Sequence, residues 1–208
     1  MKQIKTIQVQ VIDGNIATMK VDAVMVPQFN NGASYGGVGG AITRSGAGSG
    51  MDEYNDYAEK KPLSYGDVYM TASGGGSAEY LLHLATVGCK ADTSFACTVN
   101  AVCKALFLAD EKGVKTIAVP AVGSGIIGTL TLEQSAKAIF KAVALFAEHA
   151  KSVQSVTMVV YGTSTAPAQE ILDNESYLAA ENETGQKEFN FAEWLEGFAK
   201  DMSGEDRY

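Results

Sequence analysis

Val119-Pro120-Ala121-Val122-Gly123-Ser124-Gly125-Ile126-Ile127-Gly128 is the stretch on which the reading of the chain turns. It leaves a short apolar run, Lys115 to Pro120. Three glycines within six positions then let the backbone turn tightly with its N–H groups facing inward. Thr131-Leu132-Glu133-Gln134, just beyond, has the pattern of a capping box and starts a helix that apolar spacing carries to about Ala150. A glycine turn feeding a helix N-terminus suits an anionic ligand such as a phosphate. Gly123 to Gly128 also fits G-x-G-x-x-G, a pattern too common to name a ligand by itself.

Outward from this loop, a second loop of the same type precedes it in the chain. The run Val21 to Val26 reads as a buried strand ending at Pro27. Gln28-Phe29-Asn30-Asn31-Gly32-Ala33-Ser34-Tyr35-Gly36-Gly37-Val38-Gly39-Gly40 follows, and Ala41-Ile42-Thr43-Arg44 opens a short helix. Further strands are expected at Ile4 to Ile12, where residues alternate, at Val68 to Thr71, Tyr80 to Val87, Lys115 to Pro120 and Val153 to Tyr161. Helices are expected at Met51 to Lys60, at Phe95 to Lys112 before the stop at Gly113, and at Pro167 to Leu178. Strands alternating with helices over about 170 residues define an α/β fold with a mixed or parallel sheet covered on both faces. Ligands of such sheets sit beyond the carboxyl ends of the strands, where both glycine loops fall, so one cleft lined by both is expected.

Composition narrows the function classes. With 208 residues, 46% hydrophobic and 19% charged, the chain can bury a full core. It has no run of about 18 uncharged apolar residues, and Met1 to Thr6 leads straight into alternating residues without a signal-peptide core. A cytoplasmic location is the default expectation. The three cysteines, Cys89, Cys97 and Cys103, form no C-x-x-C pair and read as buried free thiols; neither a metal nor a cofactor is implied. Residues 170–208 carry 11 acidic and 3 basic side chains, which accounts for the whole net charge of −8, while the rest balances. A neutral body with an acidic tail argues against binding a nucleic-acid backbone.

The motifs in order resemble a family. Asp22-Ala23-Val24 on a strand, Gly36 to Ile42, Tyr80-Leu81-Leu82-His83, Val119 to Gly128 and Val159-Val160-Tyr161 together look like a macro domain, the ADP-ribose-binding three-layer α/β/α fold, over about residues 7–175. The resemblance implies that Gly36, Gly37 and Val38 hold the diphosphate and distal ribose, and that Gly123, Ser124, Gly125, Ile126 and Gly128 form the second phosphate loop. It implies that Tyr161 stacks on adenine. Asn15, followed by Ile16, stands where the family usually has the Asp that accepts from the adenine amino group, and an amide oxygen accepts that bond without charge assistance. Ile127 replaces the usual aromatic over the distal ribose.

The first loop departs further from the family pattern. Macro domains that remove ADP-ribose from proteins usually end the second strand in Asn-Ala-Ala-Asn and carry Asp before Gly-Ala-Ile. Here Val26-Pro27-Gln28-Phe29 and Gly39 stand at those positions. Phe29 replaces the Asn that positions the ribose, with Asn30 and Asn31 one and two residues on, and no carboxylate remains to orient a water. Binding is therefore expected over hydrolysis, with Asn30, Asn31 and His83 as the candidate catalytic residues. His83 on a buried strand is otherwise a hydrogen-bonded core residue, and Ser124 lacks the flanks of a nucleophile elbow. A dinucleotide-dependent dehydrogenase would need its glycine motif near the start of a βαβαβ unit and an acidic residue ending the next strand; the only strand that follows ends Val159-Val160-Tyr161. Tyr54, Tyr57 and Tyr65 read as the amphipathic coat of a polar helix and loop.

Residues 1–178 thus form the macro-like domain and residues 179–208 an appendage. Ala179 to Glu188 is a polar linker. Phe189 to Met202 follows as a short amphipathic pattern, with Phe191, Trp194, Leu195, Phe198 and Met202 at helical spacing. So short a helix is marginal alone and is expected to dock on its own body, on a second subunit or on another protein, while its acidic face disfavours a membrane. The leading expectation is a binder of ADP-ribose or a related adenine diphosphate. The alternatives are an ADP-ribosyl hydrolase or ADP-ribose phosphatase with a non-standard site, and an interaction protein on a decayed macro scaffold.

Overall fold

The protein is described here from a computed structural model that covers residues 1–32, 36–91, 94–125, 128–178 and Glu196. The chain runs through β1 (Lys2–Ile4), β2 (Ile7–Asp13), a 3-10 turn at Ile16–Thr18, β3 (Ala23–Phe29), α1 (Gly37–Ile42), α2 (Gly48–Lys60), β4 (Val68–Ala72) and β5 (Tyr80–Val87). It continues through α3 (Ser94–Glu111), β6 (Thr116–Pro120), α4 (Leu132–Phe146), β7 (Ser155–Val160) and α5 (Ala166–Asp173). Thr43–Ala47 joins α1 to α2 as a widened helical turn kinked at Gly46, whose φ of 107° only glycine adopts freely.

Seven strands form one sheet in the order β1-β2-β7-β6-β3-β5-β4. The inner strands are parallel, and β1 and β4 close the edges antiparallel, so the sheet is mixed. Alternate residues of the parallel strands feed two cores, which is why these strands read as unbroken apolar runs. Met25, Leu82, Leu84, Ile117 and Met158 pack with Val102, Leu106, Ile139 and Phe140 of α3 and α4. Val24, Val26, Leu81, Ala118 and Val159 pack with Ile16, Ile42, Ala47 and Met51 on the other face.

Several boundaries differ from the sequence reading, each for a local reason. The single strand expected over Ile4 to Ile12 is two strands of a tight hairpin, because Lys5 adopts a φ of 52° and turns the chain. The second strand passes through Pro27 to Phe29, since Pro27 lies beyond the last pair with β6 and loses no ladder bond there. Helix α4 ends at Phe146 because the following chain must turn its Lys151, Ser152 and Val153 N–H groups onto the buried Asp110 carboxylate. Helix α5 ends at Asp173, two residues before Glu175 takes a φ of 54°.

One junction sets the spacing of the central strands. Asp22, at the mouth of β3, accepts the Lys115 and Thr116 N–H groups of β6 on Oδ2, both at 2.9 Å, and its own N–H reaches the Thr116 hydroxyl at 2.8 Å. Its carbonyl oxygen accepts from Glu79 and Tyr80 on the β5 side, both at 3.0 Å. Beyond it, β3 pairs with β6 only at Ala23 with Ile117 and Val24 with Ala118. From there β3 stays with β5 as far as Phe29, and β6 stays with β7 as far as Pro120. The two strands that carry the glycine loops therefore separate before the loops begin.

Partial burial would raise the Asp22 carboxyl pKa, but the backbone N–H bonds from Lys115 and Thr116, with the Thr116 hydroxyl, outweigh it and hold the value below the ordinary 3.8. A depressed carboxylate stabilises the fold above its unfolded pKa, and that share is lost as pH falls through the folded value. Replacing Asp22 with Asn is expected to lower unfolding free energy by about 1–2 kcal/mol at neutral pH. The gap to wild type should close as the pH of a urea titration drops below the ordinary carboxylate value. A gap independent of pH would contradict the charge-assisted clamp.

Candidate functional site

The second glycine loop closes on itself. Val122 N–H bonds to the Pro120 carbonyl at 2.8 Å, Ser124 N–H and hydroxyl both bond to the Ala121 carbonyl, Gly128 N–H to Gly125 at 2.8 Å, and Leu130 N–H to Gly123 at 3.0 Å. Gly123 has a φ of 78° with the Leu130 side chain against it, and a Cβ on Gly128 would lie 1.9 Å from the Gly123 oxygen. These two positions are glycine for steric reasons. The bonds made leave the Gly123 and Gly125 N–H groups without a partner among the described residues. A Cβ on Gly125 would meet nothing within 4 Å, so a side chain there would face open space.

Helix α4 contributes less than its position suggests. Its capping box is formed: Gln134 N–H donates to the Thr131 hydroxyl at 3.1 Å, and Thr131 N–H donates to the Gln134 side chain at 2.9 Å. The helix starts four residues past Gly128, with Glu133 in its first turn. The N–H groups without a partner among the described residues thus lie in the loop rather than at this capped helix end. The Thr129 hydroxyl makes a short hydrogen bond with that of Ser94 at the start of α3, tying the loop to the segment after β5.

Across the gap, the first loop enters α1 at Gly36 and Gly37. Gly37 has a φ of 53°, and a Cβ on either residue would meet nothing within 4 Å. Val38 is half-buried against the Ile16, Val24 and Ile42 core, and Gly39 is buried inside α1. Because β3 and β6 are neighbours and run parallel, both loops open at one end of the sheet. Ile126 and Ile127 lie outside the described residues, as do Ala33, Ser34 and Tyr35.

Beside the second loop, β7 ends at Val160 and presents Tyr161 80% exposed. Its neighbour β2 ends at Asp13, and Gly14 N–H bonds to the Val160 carbonyl at 2.9 Å, bringing Asn15 and Ile16 to the same end of the sheet. The Asn15 amide oxygen accepts from Ala17 N–H at 3.1 Å and caps the 3-10 turn. That turn buries Ile16. Asp13 accepts from Gly162 N–H at 3.2 Å and braces the segment after Tyr161. The sequence signal for this brace is an acidic side chain at a strand end beside Gly14.

The catalytic candidates separate. Asn30 is spent on structure, its amide nitrogen donating to the Leu63 carbonyl at 3.1 Å. Asn31 is exposed at the start of the loop. His83 is fully buried, stacked on Tyr54 at 4.5 Å and bonded through Nε2 to the Thr71 hydroxyl at 2.9 Å. Burial pulls its pKa down to about 3, so the ring is neutral and lies in the core beneath α2 rather than in the cleft. Its Nδ1 and the buried Gln28 Oε1 have no hydrogen-bond partner among the described residues.

Tyr54 corrects the reading of α2 as a polar coat. It is fully buried, its hydroxyl donates to the Phe29 carbonyl at 2.7 Å, and burial pushes its phenol far above the ordinary range. Tyr57 stacks on Tyr69 at 4.2 Å, so these aromatics pack α2 onto the sheet; Tyr65 is exposed. The three cysteines are buried free thiols. Contact with Cys89 together with burial raises the Cys97 pKa, and burial alone raises that of Cys103. Among the described residues no group of three or more His, Cys, Asp or Glu side chains is placed to hold a metal, and no helix is long and apolar enough to cross a membrane.

The family model described as Macro domain matches residues 29–139, just over half of the chain, from the first glycine loop into α4. The chain belongs to the macro-domain family. Among its relatives is an uncharacterized protein of Pyrobaculum aerophilum, 30% identical over 161 residues, which cover 75% of this chain and 85% of that one. An uncharacterized protein of Mycobacterium tuberculosis is 28% identical over 165 residues, 79% of this chain; this macro domain spans only 44% of that relative's length. The macrodomain of Oceanobacillus iheyensis, solved with ADP, superposes with a TM-score of 0.72 over 86% of this chain and 95% of that one at 18% identity. A variant of that macrodomain was solved with ADPR. The macro fold is thus shown.

The two loop glycines make opposite predictions. Gly128→Ala places a methyl into the Gly123 backbone and is expected to lower stability by about 1–3 kcal/mol. Gly125→Ala, open on that side, should stay within about 0.5 kcal/mol. Urea unfolding of both variants reads the difference, and equal effects would contradict the self-closed loop.

Proposed function

We propose that this macro domain binds ADP-ribose, or a closely related adenine diphosphate, in the cleft between its two glycine loops and hydrolyses it poorly or not at all. The observation that carries the reading is the pair of loops on neighbouring, separating strands. Among the described residues the Gly123 and Gly125 N–H groups have no partner, and a Cβ on Gly37 or Gly125 would meet nothing within 4 Å. A diphosphate needs several donors aimed inward, and backbone amides supply them without fixed positive charge in a chain of net charge −8.

The nucleoside end lies toward β2 and β7. Tyr161, exposed at the end of β7, offers a face for adenine, and Asn15 at the end of β2 offers a neutral polar group; the second lone pair of its capped amide oxygen suits an adenine amino hydrogen. Val38 borders the phosphates from α1, with Ser124 on the facing loop. That the O. iheyensis macrodomain was solved with ADP and, as a variant, with ADPR supports this ligand class.

Hydrolysis has no evident agent. Gly39 stands buried in α1 where the family resemblance expects a carboxylate, Asn30 is committed to Leu63, and His83 is neutral and enclosed. Without a base to take a proton from water, attack on the ribose is not accelerated by general catalysis. Asn31, exposed at the loop start, is the residue on which the alternative of a non-standard hydrolase rests.

Titration calorimetry is expected to show saturable binding of ADP-ribose and much weaker binding of AMP. Tyr161→Ala should weaken ADP-ribose about tenfold, since stacking on a base contributes about 1–3 kcal/mol, and should leave the unfolding midpoint unchanged. No heat at millimolar ADP-ribose would refute the binding reading. Incubation with a mono-ADP-ribosylated protein should leave that substrate intact, and release of ADP-ribose would favour the hydrolase.

A further inference from the structure

At the end of the sheet remote from the glycine loops lies a groove of about 260 Å³. Helix α4 supplies one wall with Lys141, Ala144 and Leu145, the hairpin turn supplies Lys5, and Tyr177 and Leu178 supply the other wall. Glu148 closes the mouth, paired with Lys5. Tyr177 is 3% exposed and packs edge-on against Phe140 with ring centres 6.0 Å apart, so the chain after α5 is anchored here. Leu178, the next residue, is 64% exposed. The body therefore ends on the lip of an apolar groove and hands the chain to residues 179–208.

We propose that this groove is the docking site of the chain's own segment 189–202, bound in cis as an amphipathic helix. Three observations carry the assignment. The first is position: the 10-residue linker 179–188 begins at the groove and reaches up to about 30 Å when extended, enough for the helix to fold back along α4. The second is pattern. Glu196, the described residue of the tail, is helical and exposed. A helix continued through Glu196 at 3.6 residues per turn would put Phe191, Trp194, Phe198 and Met202 on the side opposite it and Leu195 on the flank, with Glu193 and Lys200 beside it.

The third is charge. Residues 179–208 hold 8 acidic and 3 basic side chains, whereas the groove lining carries two lysines and one glutamate, with Lys137 one turn earlier on α4. A short tether also raises the effective concentration of the segment at the groove to about the millimolar range, which favours the chain's own helix over a second copy. The proposal is independent of what the cleft binds, because α4 carries its C-terminal half away from the loops.

The chain has a single tryptophan, Trp194, so its emission reports the segment directly in the full-length protein. The expected result is emission blue-shifted from free indole and weakly quenched by acrylamide, unchanged on dilution. Leu145→Glu should move the emission to that of exposed indole and raise quenching several-fold. Lys141→Glu, a surface change that spares the core, should do so partially, with far-UV circular dichroism unaltered in both. Full quenching in wild type would overturn the proposal, as would protection that survives both variants. Protection lost on dilution together with a dimer mass would place the helix on a second copy instead.

Discussion

The separation of β3 from β6 is the constraint on which the site depends. Two parallel strands held together along their length would leave no room between the loops that follow them. Here Asp22 fastens the starts of β3, β5 and β6 with six hydrogen bonds from or to its own atoms, and the β3–β6 ladder ends two pairs later. Tight binding at one end and divergence at the other give a wedge. Pro27 in β3, which has no N–H to give, sits where that ladder has already ended.

Within the wedge, the proposed anion site is built from neutral groups. Gly123 and Gly128 shape a turn that favours glycine at both positions, and among the described residues the Gly123 and Gly125 amides are left without a partner. An acidic protein repels anions at long range, with a Debye length of about 8 Å at physiological salt, so the cradle has to act at hydrogen-bond distance. With Thr131 and Gln134 satisfying each other, the proposed ligand would be met by the loop itself.

Much of this was legible in the sequence. Glycines at turns, apolar runs for buried parallel strands and Thr131-Leu132-Glu133-Gln134 for a helix start are local signals, and the sheet, the two loops and the capping box followed from them. The split of Ile4 to Ile12 was not legible, because a positive φ at Lys5 belongs to the hairpin rather than to lysine. Nor was the inward turn of Tyr54: its helix is polar in composition, and only the stack on His83 and the bond to Phe29 show that this face meets the sheet. At the candidate site, sequence proximity made Asn30 and Asn31 equivalent, whereas the Leu63 carbonyl, 33 residues away, takes one of them. Non-local partners decided each of these cases.

The central claim is that both glycine loops clasp one diphosphate. Amide chemical shifts of the isotope-labelled protein titrated with ADP-ribose test it most directly. The account predicts saturable shifts at Gly36 and Gly37 on one loop and at Gly123, Gly125 and Gly128 on the other, following a single binding curve, with Lys141 and Leu145 unmoved. Shifts confined to one loop, or to neither, would contradict it.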